Sequence, residues 1–298
     1  MNSIRLISWL LAGLITCGTG VALYLFLGAP TQQRTLHQIQ GDAVRGAYVL
    51  RLANCVGCHT DREAGEEGFL SGGEAIATPL GTFFGPNITS DPDYGIGKWD
   101  LDQFASALIN GVAPNGDHYY PAFPFTFYAR LNDQDIVDLW SYMQTVPAVG
   151  NPSQSHRIGW PFNQRLLMAA WKTLFLSTSL SQANESRGDA WRRGAYIVEG
   201  PGHCGACHSP RGPLGNIDSA NRLTGSTIGP DDEATPAIDP LALAEANWTA
   251  DDLFWLLQIG VLPDGDVIGS SMAEVVDDNT GHLNDDDLRA IAEYLVSH

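Results

Sequence analysis

Basic residues are scarce in this chain. Sixteen Lys and Arg stand against 34 Asp and Glu, a formal net charge of −18 and a pI near 4.5. That balance excludes a surface built to hold nucleic-acid phosphates or anionic lipid; it suits solubility or a basic protein partner. Cysteine is scarcer, five in 298 residues, and methionine numbers four. Four of the five cysteines fall in two pentapeptides, CVGCH at 55–59 and CGACH at 204–208, leaving only Cys17 elsewhere. A scattered disulfide framework is therefore excluded. Long uncharged runs are also few, but one stands out at Leu6–Gly28, with no charge between Arg5 and Arg34.

That run exceeds the ~20 apolar residues that cross a hydrocarbon core. It is also longer than the apolar region of a cleaved signal peptide, roughly 7 to 15 residues. A retained N-terminal transmembrane helix over residues 1–30 is the resulting expectation, with cleavage or lipidation at Cys17 as the alternative. Arg5 is the one nearby basic residue on its N-terminal side.

The rest of the chain is long enough for two ordinary domains, and it repeats itself. At an offset of 149, Cys55, Cys58 and His59 fall on Cys204, Cys207 and His208, Trp99 falls on Trp248, and GVAPNGD at 111–117 falls on GVLPDGD at 260–266. Upstream, GAYVLRLA at 46–53 matches GAYIVEG at 194–200 after a one-residue slip. Downstream the offset becomes 152 and pairs LNDQDIVDLWSYM at 131–143 with LNDDDLRAIAEYL at 283–295. Such extended self-similarity means one structural unit used twice. In each copy, apolar residues at helical spacing follow the tryptophan, and a last helix starts at Asn132 or Asn284 with acids in its first turn. The expected fold is all-α with long loops: domain 1 over 31–149, a linker over 150–186 with a packing helix, and domain 2 over 187–298. SQANESRGD at 181–189 reads as a polar hinge.

Cys-x-x-Cys-His places two thiols and an imidazole on one turn, where they reach a single porphyrin: two thioethers to the macrocycle, and histidine to iron. A zinc site needs four ligands, and neither copy offers a second Cys/His pair at suitable spacing. A thioredoxin-like dithiol needs a strand-to-helix setting that the pattern lacks. Two covalently bound haem c groups follow, held by Cys55, Cys58, Cys204 and Cys207, with His59 and His208 on iron.

The sixth ligand differs between the copies. Met272 lies before the final helix of the second copy and is the last methionine in the chain; a thioether on iron raises its potential. The same position of the first copy holds Phe123, which has no lone pair to give. Met143 reads as core because it aligns with Leu295 inside the last helix. His118, in the same loop as Phe123, is the candidate that remains, with an open iron as the other possibility.

The strings GAYVLRLANCVGCHT, GTFFGPNITSDPDYGIGKW, GVAPNGDHYYPAFP, RGAYIVEGPGHCGACHSPRGPLG and GVLPDGDVIGSSMAEVV resemble membrane-anchored multihaem cytochrome c subunits that serve periplasmic alcohol- and gluconate-type dehydrogenases. The resemblance implies two tandem class I cytochrome c domains, carrying electrons from a periplasmic dehydrogenase subunit to a soluble cytochrome or terminal oxidase. It also implies a bacterial inner-membrane location, with the haem domains in the periplasm. Relatives often carry Met at the place of Phe123 or of Leu131, and this chain carries neither. An open first iron leaves room for a diheme enzyme, peroxidase-like or a small-substrate oxidase. The acids at 231–233, 251–252, 277–278 and 285–287 suggest steering of a basic partner or helix starts that favour acids.

Overall fold

The computed structural model describes residues 3–177, 186–229 and 233–297; part of the expected hinge at 181–189, and Asp231 and Asp232, lie outside them. Helix α1 spans Ser3–Leu27. In the first copy, α2 (Ala43–Leu52) leads into the short α3 (Cys55–His59), followed by α4 (Leu101–Asn110), α5 (Phe125–Tyr128) and α6 (Asp133–Met143). Helix α7 covers Leu167–Phe175. The second copy runs through α8 (Asp189–Glu199), α9 (Gly205–His208), α10 (Pro240–Glu245), α11 (Ala250–Ile259), α12 (Ser270–Asp278) and α13 (Asp285–Val296).

Local chemistry repeats along with the sequence. Helix α4 opens on a capping box between Asp100 and Gln103 and stops at Gly111 with φ 59°. Helix α11 opens on Thr249 and Asp252 and stops at Gly260 with φ 74°. Each N-cap side chain satisfies an otherwise orphaned N–H, and each terminal glycine takes the left-handed conformation at no steric cost. Asn132 and Asn284 cap α6 and α13 by accepting from Asp135 N and Asp287 N.

Within each copy the first and last helices cross at a glycine. A Cβ on Gly46 would lie 2.0 Å from Asp138 O, and one on Gly194 would lie 1.9 Å from Ala290 O. The backbones of α2 and α6, and of α8 and α13, are thus close enough to exclude any side chain at the crossing. Around these pairs two apolar clusters form. One includes Val49, Leu50, Leu108, Leu131, Ile136 and Met143; the other includes Ile197, Leu253, Leu257, Leu288 and Leu295.

Two expectations are corrected. The fold is mostly helical rather than all-α: Ala75–Thr78 (β1), Gly81–Phe84 (β2) and Arg157–Ile158 (β3) form an antiparallel sheet in the order β1-β2-β3. Gly81, at φ 134°, turns the hairpin, and a Cβ there would meet Arg157 O at 2.5 Å, so β3 docks only because residue 81 lacks a side chain. The second correction concerns the N-terminus. Among the described residues no helix is long and apolar enough to cross a membrane, which overturns the single N-terminal span and the inner-membrane placement built on it. The apolar run of α1 is diluted by Thr16, Gly18, Thr19 and Gly20. Its last turns are joined to protein, where Thr173 Oγ1 donates to Leu25 O at 2.8 Å.

Helix α7 lies in the segment between the two copies. α7 buries Met168, Ala169, Trp171 and Lys172, clustering with Phe83, Tyr120 and Phe125 of the first copy. Trp171 Nε1 reaches the second copy by donating to Leu214 O at 2.9 Å. Phe125 is fully buried there, a contribution of about 1.5–3 kcal/mol for one such side chain.

Candidate haem sites

Each Cys-x-x-Cys-His turn begins with a residue in the left-handed region. Asn54 (φ 50°) precedes Cys55, and its counterpart His203 (φ 38°) precedes Cys204. Both thiols of each motif line one cavity. All five cysteines are free. Burial pushes Cys55 and Cys204 up to about 12 and Cys58 to about 11, and raises Cys207 as well. Protonated buried thiols are poor nucleophiles, unlike those of a dithiol oxidoreductase. Among the described residues no group of three or more His, Cys, Asp or Glu is arranged to hold a metal ion.

The two histidines are held alike. His59 Nδ1 lies 2.7 Å from Pro86 O, and His208 Nδ1 lies 2.8 Å from Pro236 O. A carbonyl accepts only from an N–H, so each ring carries its proton on Nδ1 and leaves the Nε2 lone pair for a metal. Burial lowers both imidazoles, partly offset by these carbonyls.

One continuous cavity of about 2340 Å³ is lined by Cys55, Cys58, His59, Cys204, Cys207, His208 and Met272. An ordinary small-molecule pocket holds roughly 300–1,000 Å³, so this space suits two large apolar groups. Free thiols, a fixed imidazole tautomer and a cavity of this size fit two covalently attached porphyrins, with Cys55, Cys58 and His59 serving one and Cys204, Cys207 and His208 the other.

The sixth-ligand candidates separate. Met272, on the first turn of α12, lines the cavity against the second apolar cluster. Phe123 lines it in the first copy, as does Met143, which is 1 % exposed. Leu295, the counterpart of Met143, also lines it. His118 is not among the lining residues. It pairs with Val112 in an isolated bridge that is repeated by Val261 and Val267 in the second copy, and Val267 is exposed.

Comparison with known proteins agrees with this geometry. Residues 43–147 match the cytochrome c family. Over 287 residues the chain is 39 % identical to a diheme c-type cytochrome of Cereibacter sphaeroides, covering 93 % of this chain and 95 % of that protein. The chain belongs to the diheme c-type cytochromes. As a member of that family it carries covalently bound haem c. The cytochrome c subunit of the quinone-dependent alcohol dehydrogenase of Gluconobacter oxydans is 36 % identical over 85 % of this chain, and that of the gluconate 2-dehydrogenase of Pantoea cypripedii is 37 % identical over 85 %. This chain spans only 54 % and 58 % of their lengths.

Sequence reasoning missed how closely this cytochrome sets its two attachment turns. Helix α12 of the second copy lies against α3 of the first, fastened where Arg62 pairs with Asp278 and Arg51 Nη1 donates to Asp278 O. The His203 ring packs against Phe127 and Tyr128 of the first copy; burial lowers it to about 4, so it is neutral. Tyr128 Oη donates to Ala53 O at 2.6 Å. The available signal was positional: His203 stands where the first copy has Asn54.

Several acids assigned to partner steering are committed within the chain. Asp287 bonds Tyr48 and Arg193, Asp278 pairs with Arg62, and Asp252 completes a capping box. Asp286 remains exposed at a helix start, and Asp251, also exposed, pairs with Arg289 at 3.5 Å.

Proposed function

We propose that this diheme cytochrome carries electrons as a subunit or partner of a dehydrogenase, accepting them from the catalytic subunit and passing them to a soluble cytochrome or terminal oxidase. Its two tandem cytochrome c units, 31–149 and 187–298, each hold one haem. Cys55, Cys58, Cys204 and Cys207 form the thioethers, His59 and His208 bind iron from one side, and Met272 closes the second centre from the other. Bound haem c supplies a reversible one-electron couple. The chain's own residues set its tuning: axial atom, burial and hydrogen bonding of the imidazole.

The observation that carries this reading is the adjacency of the two attachment turns. Tyr128, whose hydroxyl donates to Ala53 O two residues before Cys55, packs its ring on His203, one residue before Cys204, so a short path of packed groups joins one motif to the other. The relatives support the donor: proteins named as cytochrome subunits of alcohol and gluconate dehydrogenases share most of this chain. Unequal axial ligation makes the Met272 haem the higher-potential one and the exit.

The test is co-purification of the tagged holoprotein from its native cells, followed by addition of substrates for the associated large subunit. Substrate-dependent reduction of both haems is expected, with the second reduced at higher potential. Haems that stay oxidised while an artificial dye is reduced by the same complex would overturn the proposal.

A further inference from the structure

The residue three positions after each motif histidine is arginine in both copies, Arg62 in CHTDR at 58–62 and Arg211 in CHSPR at 207–211. Both line the haem cavity, yet they are answered differently. Arg62 reaches over to α12 of the second copy, where it pairs with Asp278 and lies 3.8 Å from Glu274. Arg211 stays on its own turn, donating to Ala206 O at 2.5 Å and to Gly215 O at 2.9 Å. Its partners are carbonyls, and no carboxylate among the described residues pairs with it.

The duplication shows where the difference comes from. Helix α12 lies against α3, the attachment turn of the first copy. The corresponding segment of the first copy, PAFPFTFYA at 121–129, holds no acid. It lies against the second attachment turn, where a Cβ on Gly205 would meet the Phe127 ring at 3.4 Å. The first turn therefore faces carboxylates, and the second faces an aromatic ring. Asp61, beside Arg62, is replaced by Pro210 in the second copy, which widens the contrast. Of the second copy's acids that line the cavity, Glu274 is turned to Arg62 and Glu233 accepts from Ser270 Oγ at 2.7 Å.

Ferric haem carries one positive charge more than ferrous haem. A nearby cation therefore favours the reduced state and a nearby anion the oxidised one, most strongly where water is excluded. We infer that Arg62 and Arg211 are potential-setting residues, the first cancelled by Asp278 and Glu274 and the second uncancelled, so that their charges raise the second haem's potential relative to the first's. The effect adds to that of axial ligation and favours electron flow from the first centre to the second. It deepens the carrier reading above, but rests only on haem attachment at both turns.

Potentiometric titration of the full-length holoprotein tests it, at low ionic strength so that partly exposed charges are least screened and with intact mass confirming two haem additions. Arg211→Gln is expected to move one of the two steps to lower potential by about tenfold in that haem's reduced-to-oxidised ratio, about 59 mV for a one-electron couple. Arg211→Lys is expected to keep the wild-type value. The other step is expected to fall in Arg62→Gln, which leaves Asp278 and Glu274 uncancelled, and to rise in Asp278→Asn. Those two variants break the same ion pair, so a merely structural role moves the step the same way in both. Shifts of one sign in the two, or an Arg211→Gln protein with two haems and unmoved potentials, would overturn the inference. Opposite signs at one step and the Arg211 shift at the other bear it out. If the step that answers to Arg211 is then the lower of the two, the order of potentials proposed above fails and the inference stands. The signs of the Arg62 and Asp278 shifts remain decisive even if Arg211→Gln fails to fold.

Discussion

Tyr48 of the first copy donates its hydroxyl to Asp287 of the second at 2.6 Å. The reverse contact is also present: Tyr196 of the second copy donates to Asp135 of the first at 2.5 Å. Tyr48 corresponds to Tyr196, and Asp287 to Asp135. Asn284 Nδ2 and Asn132 Nδ2 also donate to the two phenol oxygens, at 2.9 and 3.1 Å. Residue i of one copy meets residue j of the other, and j meets i, which is the signature of an isologous interface about a local two-fold axis.

Tyr48→Phe removes one half of that exchange. Asp287 is desolvated by burial, but hydrogen bonds from Arg193 and Tyr48 and the Arg193 charge outweigh this and hold its carboxyl below the usual range. A depressed carboxylate stabilises the fold above its unfolded value, roughly 3.9, and that contribution is lost as pH falls through the lower folded value. The variant is expected to lose about 1–3 kcal/mol at pH 7 and to unfold at higher pH on acidification. Urea denaturation at pH 7 and an acid titration followed by circular dichroism measure both effects.

Gly46→Ala and Gly194→Ala insert a methyl group into the two helix crossings. Overpacking of this kind costs about 1–3 kcal/mol, so a fall in Tm of several degrees is expected at about 2–4 °C per kcal/mol. Gly150, where a Cβ meets nothing within 4 Å, serves as the control, and its alanine variant is expected to match or exceed the wild type. Differential scanning calorimetry checks the three variants beside the wild type.

Lys172 is buried in α7, where Nζ donates to Asn110 O at 2.8 Å and Gly111 O at 3.0 Å, and burial lowers it to about 8. The unfolded chain keeps that proton to about 10.4. Between those values the unfolded state binds more protons, so stability rises with pH. Wild type should gain on the order of 2–3 kcal/mol relative to Lys172→Met between pH 8 and 10. A flat difference between the two denaturation series would contradict the placement of the ammonium group.

Met272→His retains a strong ligand but replaces thioether sulfur with imidazole. The potential of the second haem is expected to fall on the order of 0.1 V, within the roughly 0.8 V that axial ligands span, while the first haem keeps its own value. Potentiometric titration resolves the two steps. A shift in the first haem instead would reassign Met272.

The sequence alone determined the two Cys-x-x-Cys-His constellations and the repeat. Cys-x-x-Cys-His is a local constellation, and its residues lie on one turn whatever surrounds them, so Cys55, Cys58, His59 and their counterparts were legible without a fold. Helix starts at Asn132 and Asn284 were equally local, because an N-cap needs only its own next three residues. Tertiary structure decided what depends on residues far apart in the chain. The tautomer of His59 is set by Pro86, the small sheet depends on Arg157 meeting Gly81, and His203 packs on Phe127 and Tyr128 across the two copies. The fates of Asp278 and Asp287, which reads as a solvated helix start until Tyr48 arrives, were decided in the same way. Contacts of that kind follow from how two like surfaces pack about an axis, and linear spacing does not record them.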